Sequence, residues 1–316
     1  MQKYLKYKTK KYSGYMLDVI SYLTNYVYST RNKNPFLISG SPRSGTTWLA
    51  EIIVASERSR LIWEPLQDGN PTIATYPFKS KRPFLSKIKS EYNEFDPFFK
   101  KLLDGRNLNS HTLRLKVNPN NLYKAFTNSR LLIKFVRGNG VVSYLQNRFN
   151  LPKPVVILRH PCAVVASQLR MGVWDTHPHV DPDLIKEYPK FNFLLKEIES
   201  LEERLALTWA GDVLSALYNS DNLQIVFYED LVLNGEEELK KIFREWGYSS
   251  VPSGSLKKLN LQSSTSKTWS SKEDGIKKIQ AWSKFLNEEK QERIFTILKK
   301  LDIQLYNSSS FLPRKN

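Results

Sequence analysis

The fold of this 316-residue chain is decided by one stretch, Pro35-Phe-Leu-Ile-Ser-Gly-Ser-Pro-Arg-Ser-Gly-Thr-Thr-Trp48. The apolar run at 36–38 predicts a buried strand, the segment 40–45 a tight turn, and the segment 46–55 a helix. Free backbone N–H groups and the positive end of a helix then point at one spot. The stretch therefore predicts an anion-binding loop.

The loop is close to the phosphate-binding pattern G-x-x-x-x-G-K-[ST] but departs from it at one position. Gly40, Gly45 and Thr47 fit the pattern, whereas Thr46 stands where the lysine is required. A cation lies inside the loop instead, at Arg43. This arrangement indicates a phosphate-like ligand that is held differently from a nucleoside triphosphate.

Composition indicates a folded globular protein, with 41% hydrophobic and 12% aromatic residues. The single cysteine, Cys162, excludes an internal disulfide framework. Because no stretch has the composition of a linker, we predict one α/β domain over 35–316, preceded by a helical segment over 1–34.

The formal net charge of +17 favours anionic partners. The lysines are scattered and no nucleic-acid-binding signature is present, so we do not expect nucleic acid as a partner. No apolar run is long enough for a membrane helix, and no signal peptide is recognisable, which favours a cytoplasmic location. Residues 1–34 are expected to pack on the domain or to attach weakly to a membrane surface.

Strand and helix patterns alternate along the rest of the chain. Further strands are predicted over 131–136, 154–158 and 224–228, and helices over 162–171, over 236–246 and from Asn287 to about Lys300. The alternation predicts a P-loop-like three-layer fold, with a mostly parallel sheet flanked by helices. The segments 65–110 and 172–200 are predicted to be irregular insertions over a substrate cleft.

Two later motifs fit the same chemistry. The segment 156–167 places Arg159 at the end of a strand and Ser167 eight residues further on, where both can bind a phosphate. The segment 226–231, Val-Phe-Tyr-Glu-Asp-Leu, places Tyr228 at the end of another strand.

Together these motifs resemble the sulfotransferases that use 3′-phosphoadenosine 5′-phosphosulfate (PAPS). The resemblance implies that segment 41–48 binds the 5′-phosphosulfate, that Arg159 and Ser167 bind the 3′-phosphate, and that aromatic side chains lie beside the adenine. Segment 263–269 resembles a loop that closes over the 3′-phosphate, or else is a polar surface loop. The residues implied in PAPS binding are Arg43, Ser44, Gly45, Thr46, Thr47, Trp48, Arg159, Ser167, Tyr228 and Lys267.

The general base depends on the branch of the family. Soluble small-molecule enzymes carry a histidine two residues after a strand-end lysine; Lys134 matches that lysine, but the histidine position is Val136. Tyrosylprotein and several carbohydrate sulfotransferases use a glutamate, and the segment Glu64-Pro-Leu66 resembles the Glu-Pro-Leu segment of the carbohydrate enzymes. The resemblance implies catalytic roles for Glu64, Arg43 and Lys134. Apolar neighbours are expected to raise the pKa of Glu64, unless it is a surface glutamate in a loop.

Histidines are the alternative bases, with His111 and His177 next in line after Glu64. His160 lies inside the phosphate motif, and we expect it to be structural. The pair His177 and His179 supplies too few ligands for a metal site.

The resemblance implies in-line sulfuryl transfer from PAPS, without a metal, to a hydroxyl acceptor. The glutamate segment favours a carbohydrate or glycoconjugate, and the positive charge would suit an acidic glycan; a peptide tyrosine, a lipid and a natural-product hydroxyl stay open as acceptors. A P-loop kinase of a small molecule and a non-catalytic anion- or glycan-binding protein remain as alternatives. The sequence does not predict the oligomeric state.

Overall fold

A computed structural model describes residues 34–56, 59–68, 81–85, 90–115, 120–127, 130–172, 178–218, 220–264 and 275–314, with positions 15, 16, 19, 23, 70, 73, 78, 80 and 118. Most of the predicted N-terminal segment, and the candidate residues Lys267 and His177, lie outside these residues. Within the described part of the chain, no helix is both long and apolar enough to span a bilayer.

The described strands form one parallel sheet in the order β2-β3-β1-β4-β5. Their bounds are β1 Phe36–Ser39, β2 Ser59–Trp63, β3 Arg130–Lys134, β4 Val155–Leu158 and β5 Gln224–Phe227. Since every pairing is parallel, all the carboxyl ends lie on the same edge of the sheet. In open α/β sheets, ligands bind at this edge.

Two hydrophobic cores cover the two faces of the sheet. Phe36 and Ile38 pack into one core together with Trp48, whereas Leu37 packs into the other together with Phe99. Alternating side chains of a strand point to opposite faces, so both faces of β1 are buried. The predicted three-layer α/β fold is confirmed.

Helices connect the strands. The helices in the described residues are α1 Thr46–Val54, α2 Asp96–Leu103, α3 Asn120–Thr127, α4 Val142–Phe149, α5 Pro161–Met171, α6 Pro182–Glu187, α7 Lys190–Glu197, α8 Leu201–Leu217, α9 Tyr228–Leu233, α10 Gly235–Glu245, α11 Ser253–Leu259, α12 Gly275–Gln280 and α13 Glu288–Lys300. The last helix begins as predicted, because the Asn287 side chain accepts a hydrogen bond from Lys290 N.

The prediction of irregular structure over 65–110 and 172–200 is wrong in part. Helix α2 lies in the first segment, and α6 and α7 lie in the second. Pro97 and Pro182 stand in the first turns of α2 and α6, where a missing N–H group costs no helical hydrogen bond. Asp181 also caps α6, by accepting a hydrogen bond from Asp183 N at 2.9 Å.

The strand boundaries also differ from the predictions. Strand β3 ends at Lys134 rather than at 136, and Tyr228 begins helix α9 instead of ending β5. Strand β2 was not predicted, because its sequence, Ser-Arg-Leu-Ile-Trp, carries an arginine that would normally be exposed. Arg60 is nevertheless buried. This strand matters because Glu64 follows it directly.

Candidate active site

The sheet topology places the predicted site residues in a fixed order along one edge. Tyr228 follows β5, Arg159 follows β4, and the loop at 40–45 follows β1. On the other side of β1, Lys134 ends β3 and Glu64 follows β2. Because adjacent strands lie about 4.8 Å apart, these groups share one continuous surface.

The loop after β1 presents the amino end of α1. Arg43 and Gly45 have positive φ angles of 74° and 102°, and Gly45 is the N-cap residue with no side-chain capping bond. The amides of Thr46 and Thr47 belong to the first turn, whose N–H groups have no acceptor within a helix. A Cβ atom on Gly45 would lie 2.6 Å from the Tyr228 ring. The backbone therefore requires glycine here, and it points amide donors outward.

Arginines gather around this loop. The Arg43 Nε donates to Ser167 Oγ at 3.0 Å, and the Arg159 Nη1 donates to the Arg43 carbonyl at 3.1 Å. Burial lowers the pKa of Arg43, and the like charges of Arg159 and Arg170 lower it further. Within the described residues, the buried Arg159 Nε has no hydrogen-bond acceptor. Clustered guanidinium groups with an unused buried donor suit an anionic ligand.

Arg159 is held in place by aromatic contacts. Its guanidinium carbon lies 4.1 Å from the centroid of the Tyr228 ring, and its carbonyl accepts from Trp209 Nε1 at 3.1 Å. The Tyr228 ring in turn meets Trp48 edge to face at 5.8 Å. The structure thus brings together the two aromatic residues that the resemblance implies lie beside the adenine.

The Glu64 side chain lies beside Lys134 at the ends of β2 and β3. The Lys134 Nζ contacts Glu64 Oε1, and the Glu64 amide donates to the Lys134 carbonyl at 2.7 Å. The exposed fractions of the two residues are only 9% and 1%. The alternative of Glu64 as a surface residue in a loop is therefore wrong. Glu64 also has a positive φ of 44°, an uncommon conformation that turns the chain at the strand end.

Burial lowers the pKa of Lys134 to about 8, and the like charges of Arg114 and Arg43 act in the same direction. The Glu64 carboxylate opposes this shift. The Lys134 ammonium also lies 3.7 Å from the centroid of the Trp63 ring, a favourable cation–π contact. The site therefore holds more positive than negative charge.

His111, the first alternative base, contacts the backbone of Glu64. Its Nε2 lies 3.2 Å from the Glu64 carbonyl oxygen. Burial lowers the pKa of His111, although Glu64 opposes the shift. His179 lies elsewhere, lining a small pocket with Arg82 and Asp212.

His160 is buried, as expected for a structural residue. Its ring stacks on Trp282 at 4.7 Å, and burial lowers its pKa to about 3. Its amide donates to the buried Glu229 carboxylate at 3.0 Å, which also accepts from the Tyr306 hydroxyl at 2.9 Å. These contacts fix the chain immediately after Arg159.

An open cleft begins at Leu66, two residues beyond Glu64. Its rim carries Asp68, which forms ion pairs with Lys81 and Arg137, each at 3.2 Å. It is lined by Leu66, Asp68, Ile73, Phe78, Ser80, Lys81 and Pro83. Part of the segment 65–110 lines this cleft; its role as a cover over a substrate cleft stays a prediction.

Sequence reasoning missed two cations of the site, Arg114 and Arg170. Arg170 could have been found, because it lies three residues after Ser167 on α5 and therefore on the same helix face. Arg114 lies in no motif and carries no such signal. Within the described ranges, no group of three His, Cys, Asp or Glu side chains is arranged to hold a metal ion.

The geometry thus defines a parallel α/β protein with a glycine-containing loop at a helix N-terminus and a buried glutamate–lysine pair. A family model described as "Sulfotransferase domain" matches residues 33–302, and the chain belongs to this family of enzymes. No curated protein matches the sequence significantly.

Two solved structures are similar to this chain. One is the sulfotransferase domain from the curacin biosynthetic pathway, with 18% identity, a TM-score of 0.45, and coverage of 85% of this chain and 98% of that one. The other is the mouse sulfotransferase SULT7A1 complexed with PAP, with 16% identity, a TM-score of 0.43, and coverage of 84% of each chain.

Proposed function

We propose that this sulfotransferase transfers the sulfuryl group of PAPS to a hydroxyl of a carbohydrate or glycoconjugate, with Glu64 as the general base. The buried pair of Glu64 and Lys134, at the ends of the two strands beside β1 and its loop, carries the proposal. The net charge of +17 would suit an acidic glycan as the acceptor.

The residues present fit PAPS as the donor. The loop amides, Arg43, Thr46 and Thr47 would hold the phosphosulfate, and Ser44 and Gly45 complete that loop. Around the 3′-phosphate we propose Arg159, with its unused buried Nε donor, and Ser167. Trp48 and Tyr228 would contact the adenine, and Lys267 remains a proposed contact outside the described residues.

The order of these residues along the sheet edge suggests a separate role for each in the transfer. PAPS would supply the sulfuryl group: the bond from sulfur to the 5′-phosphate oxygen would break as the bond to the acceptor oxygen forms, and adenosine 3′,5′-bisphosphate would leave. Glu64 would accept the proton of the attacking hydroxyl. Lys134, on the strand between the loop and Glu64, would donate a hydrogen bond to the bridging oxygen, where negative charge develops.

Two alternatives are less well supported. A kinase would need a loop lysine, but this position is Thr46, and the family match is to sulfotransferases. A non-catalytic anion-binding protein gives no reason to bury a glutamate against a lysine, since such a pair is costly to desolvate.

The test is a transfer assay with ³⁵S-labelled PAPS against a panel of neutral glycans, acidic glycans, tyrosine peptides and phenols. We expect label on a glycan. Label confined to a peptide or a phenol would overturn the carbohydrate assignment, and label on none of them would count against catalysis by this protein.

A further inference from the structure

We propose that Arg114 is a specificity-determining residue that binds a carboxylate on the saccharide acceptor. The inference rests on the proposed function, because it places a second acceptor group beside Glu64. The acceptor class it defines is an oligosaccharide that contains uronic acid.

Arg114 lies beside Glu64 at the carboxyl end of β2, where its guanidinium packs on Trp63 and its charge interacts with that of Glu64. Residues of the proposed nucleotide site follow β1, β4 and β5, whereas Glu64 follows β2, at the opposite end of the described sheet. Trp63 N, at the end of β2, donates to the Thr112 carbonyl at 2.8 Å, so the segment 107–115 flanks this strand. Arg114 is therefore next to the proposed base, where the hydroxyl of an acceptor would bind.

The Arg114 guanidinium is positioned against an aromatic ring. Its central carbon lies 3.8 Å from the centroid of the Trp63 ring, which also contacts Lys134 Nζ. Stacking of this kind fixes the plane of a guanidinium and leaves its N–H groups available at the edge. A fixed planar fork binds a carboxylate through two parallel hydrogen bonds.

The charge of Arg114 is not neutralised by an ion pair within the described residues. Burial lowers the pKa of Arg114, and the charges of Glu51 and Glu64 oppose this shift. Both carboxylates are paired elsewhere, Glu51 with Lys258 at 3.1 Å and Glu64 with Lys134. A half-buried cation in a positively charged site gains most from an anion supplied by a ligand.

The backbone around Arg114 is held in one conformation. Arg114 has a φ of 50°, in the left-handed region that disfavours non-glycine residues. The buried Asn109 side chain accepts from His111 N at 2.9 Å and from Thr112 N at 3.0 Å, and the Arg114 amide donates to the His111 carbonyl. This network keeps Arg114 at a fixed distance from Glu64, as a specificity contact requires.

The test uses calorimetric titration of the full chain saturated with adenosine 3′,5′-bisphosphate. The probes are hexasaccharides of hyaluronan, chondroitin and heparosan, each compared with its carboxyl-reduced form. We expect at least one intact hexasaccharide to bind about tenfold more tightly than its reduced form. Arg114→Gln should abolish this preference, Arg114→Lys should keep part of it, and the control Lys124→Gln, which removes an exposed charge on α3, should keep all of it.

Three outcomes would overturn the proposal. The first is an unchanged preference for the carboxylate in Arg114→Gln, and the second is failure of every intact hexasaccharide to bind. The third is that Arg114→Gln weakens binding of the bisphosphate as much as binding of the hexasaccharide, which would place Arg114 on the donor. The bisphosphate titration separates this proposal from the proposed function. If the unsubstituted protein does not bind the bisphosphate, the proposed function itself is refuted.

Discussion

Replacement of Glu64 by glutamine tests the proposed chemistry most sharply. The amide keeps the size of the side chain and can still accept a hydrogen bond from Lys134, but it cannot take up the proton of an attacking hydroxyl. Loss of a general base typically costs about 10²- to 10⁴-fold in rate. At about 1.36 kcal/mol per factor of ten, the barrier rises by about 2.7 to 5.4 kcal/mol.

The same change removes the charge that faces a buried lysine. An isolated buried charge costs about 3–5 kcal/mol. Lys134 can avoid most of this cost by losing its proton, because its pKa is already about 8. Removing the proton of a lysine with a pKa of about 8 at pH 7 costs one pKa unit, or about 1.4 kcal/mol. We therefore expect the free energy of unfolding to fall by only about 1–2 kcal/mol. Glu64→Gln should therefore fold at 25 °C.

The assay compares turnover with ³⁵S-labelled PAPS, binding of adenosine 3′,5′-bisphosphate and denaturant unfolding. Glu237→Gln, an exposed substitution on α10, is the control. We expect nearly normal bisphosphate affinity and a large fall in kcat for Glu64→Gln alone. Full activity of Glu64→Gln would refute the assignment of the base and direct attention to His111, whose Nε2 contacts the Glu64 backbone.

Three further predictions concern the donor site. Arg159→Ala should reduce the preference for adenosine 3′,5′-bisphosphate over adenosine 5′-phosphate, because the 3′-phosphate loses its charged partner. The preference is measured as the ratio of the two Kd values, and an unchanged ratio would contradict the role of Arg159. Gly45→Ala should weaken bisphosphate binding in the same titration, since a Cβ at a φ of 102° would lie 2.6 Å from the Tyr228 ring; normal affinity would show that the loop tolerates the strain. Binding of the bisphosphate at pH 8 should take up about half a proton. The pKa of Lys134 is about 8, so half of the lysine is neutral at this pH, and a nearby anion raises the pKa and restores the charge. Calorimetry in buffers of different ionisation enthalpy measures this uptake, and Lys134→Met should abolish it.

The arrangement of the residues that we assign to the donor could be predicted from sequence because local rules determine it. A strand, a glycine turn and a helix start occupy one continuous segment, and Gly45 adopts the positive φ that such a turn requires. Ser167 and Arg159 lie within one strand–helix unit, so their spacing indicates a shared location. The sequence therefore carried the information needed to place them.

The acceptor side depends on long-range contacts that have no sequence pattern. The chain between Trp63 and Arg114 returns to β2 through the hydrogen bond of Trp63 N to Thr112 O, 49 residues away in sequence (112 − 63 = 49). Lys134 is a further 20 residues along the chain (134 − 114 = 20), and only the pairing of β2 with β3 brings it to Glu64. Sequence alone could identify Glu64 by resemblance but could not show that its carboxylate is buried.

The central claim is that this site binds a 3′-phosphorylated adenine nucleotide, and calorimetric titration of the full chain tests it most directly. Adenosine 3′,5′-bisphosphate, adenosine 5′-phosphate and ATP with Mg²⁺ would be compared. The account predicts binding of the bisphosphate in the micromolar range, lost with the 3′-phosphate and independent of Mg²⁺. Binding of ATP with Mg²⁺ alone would contradict it.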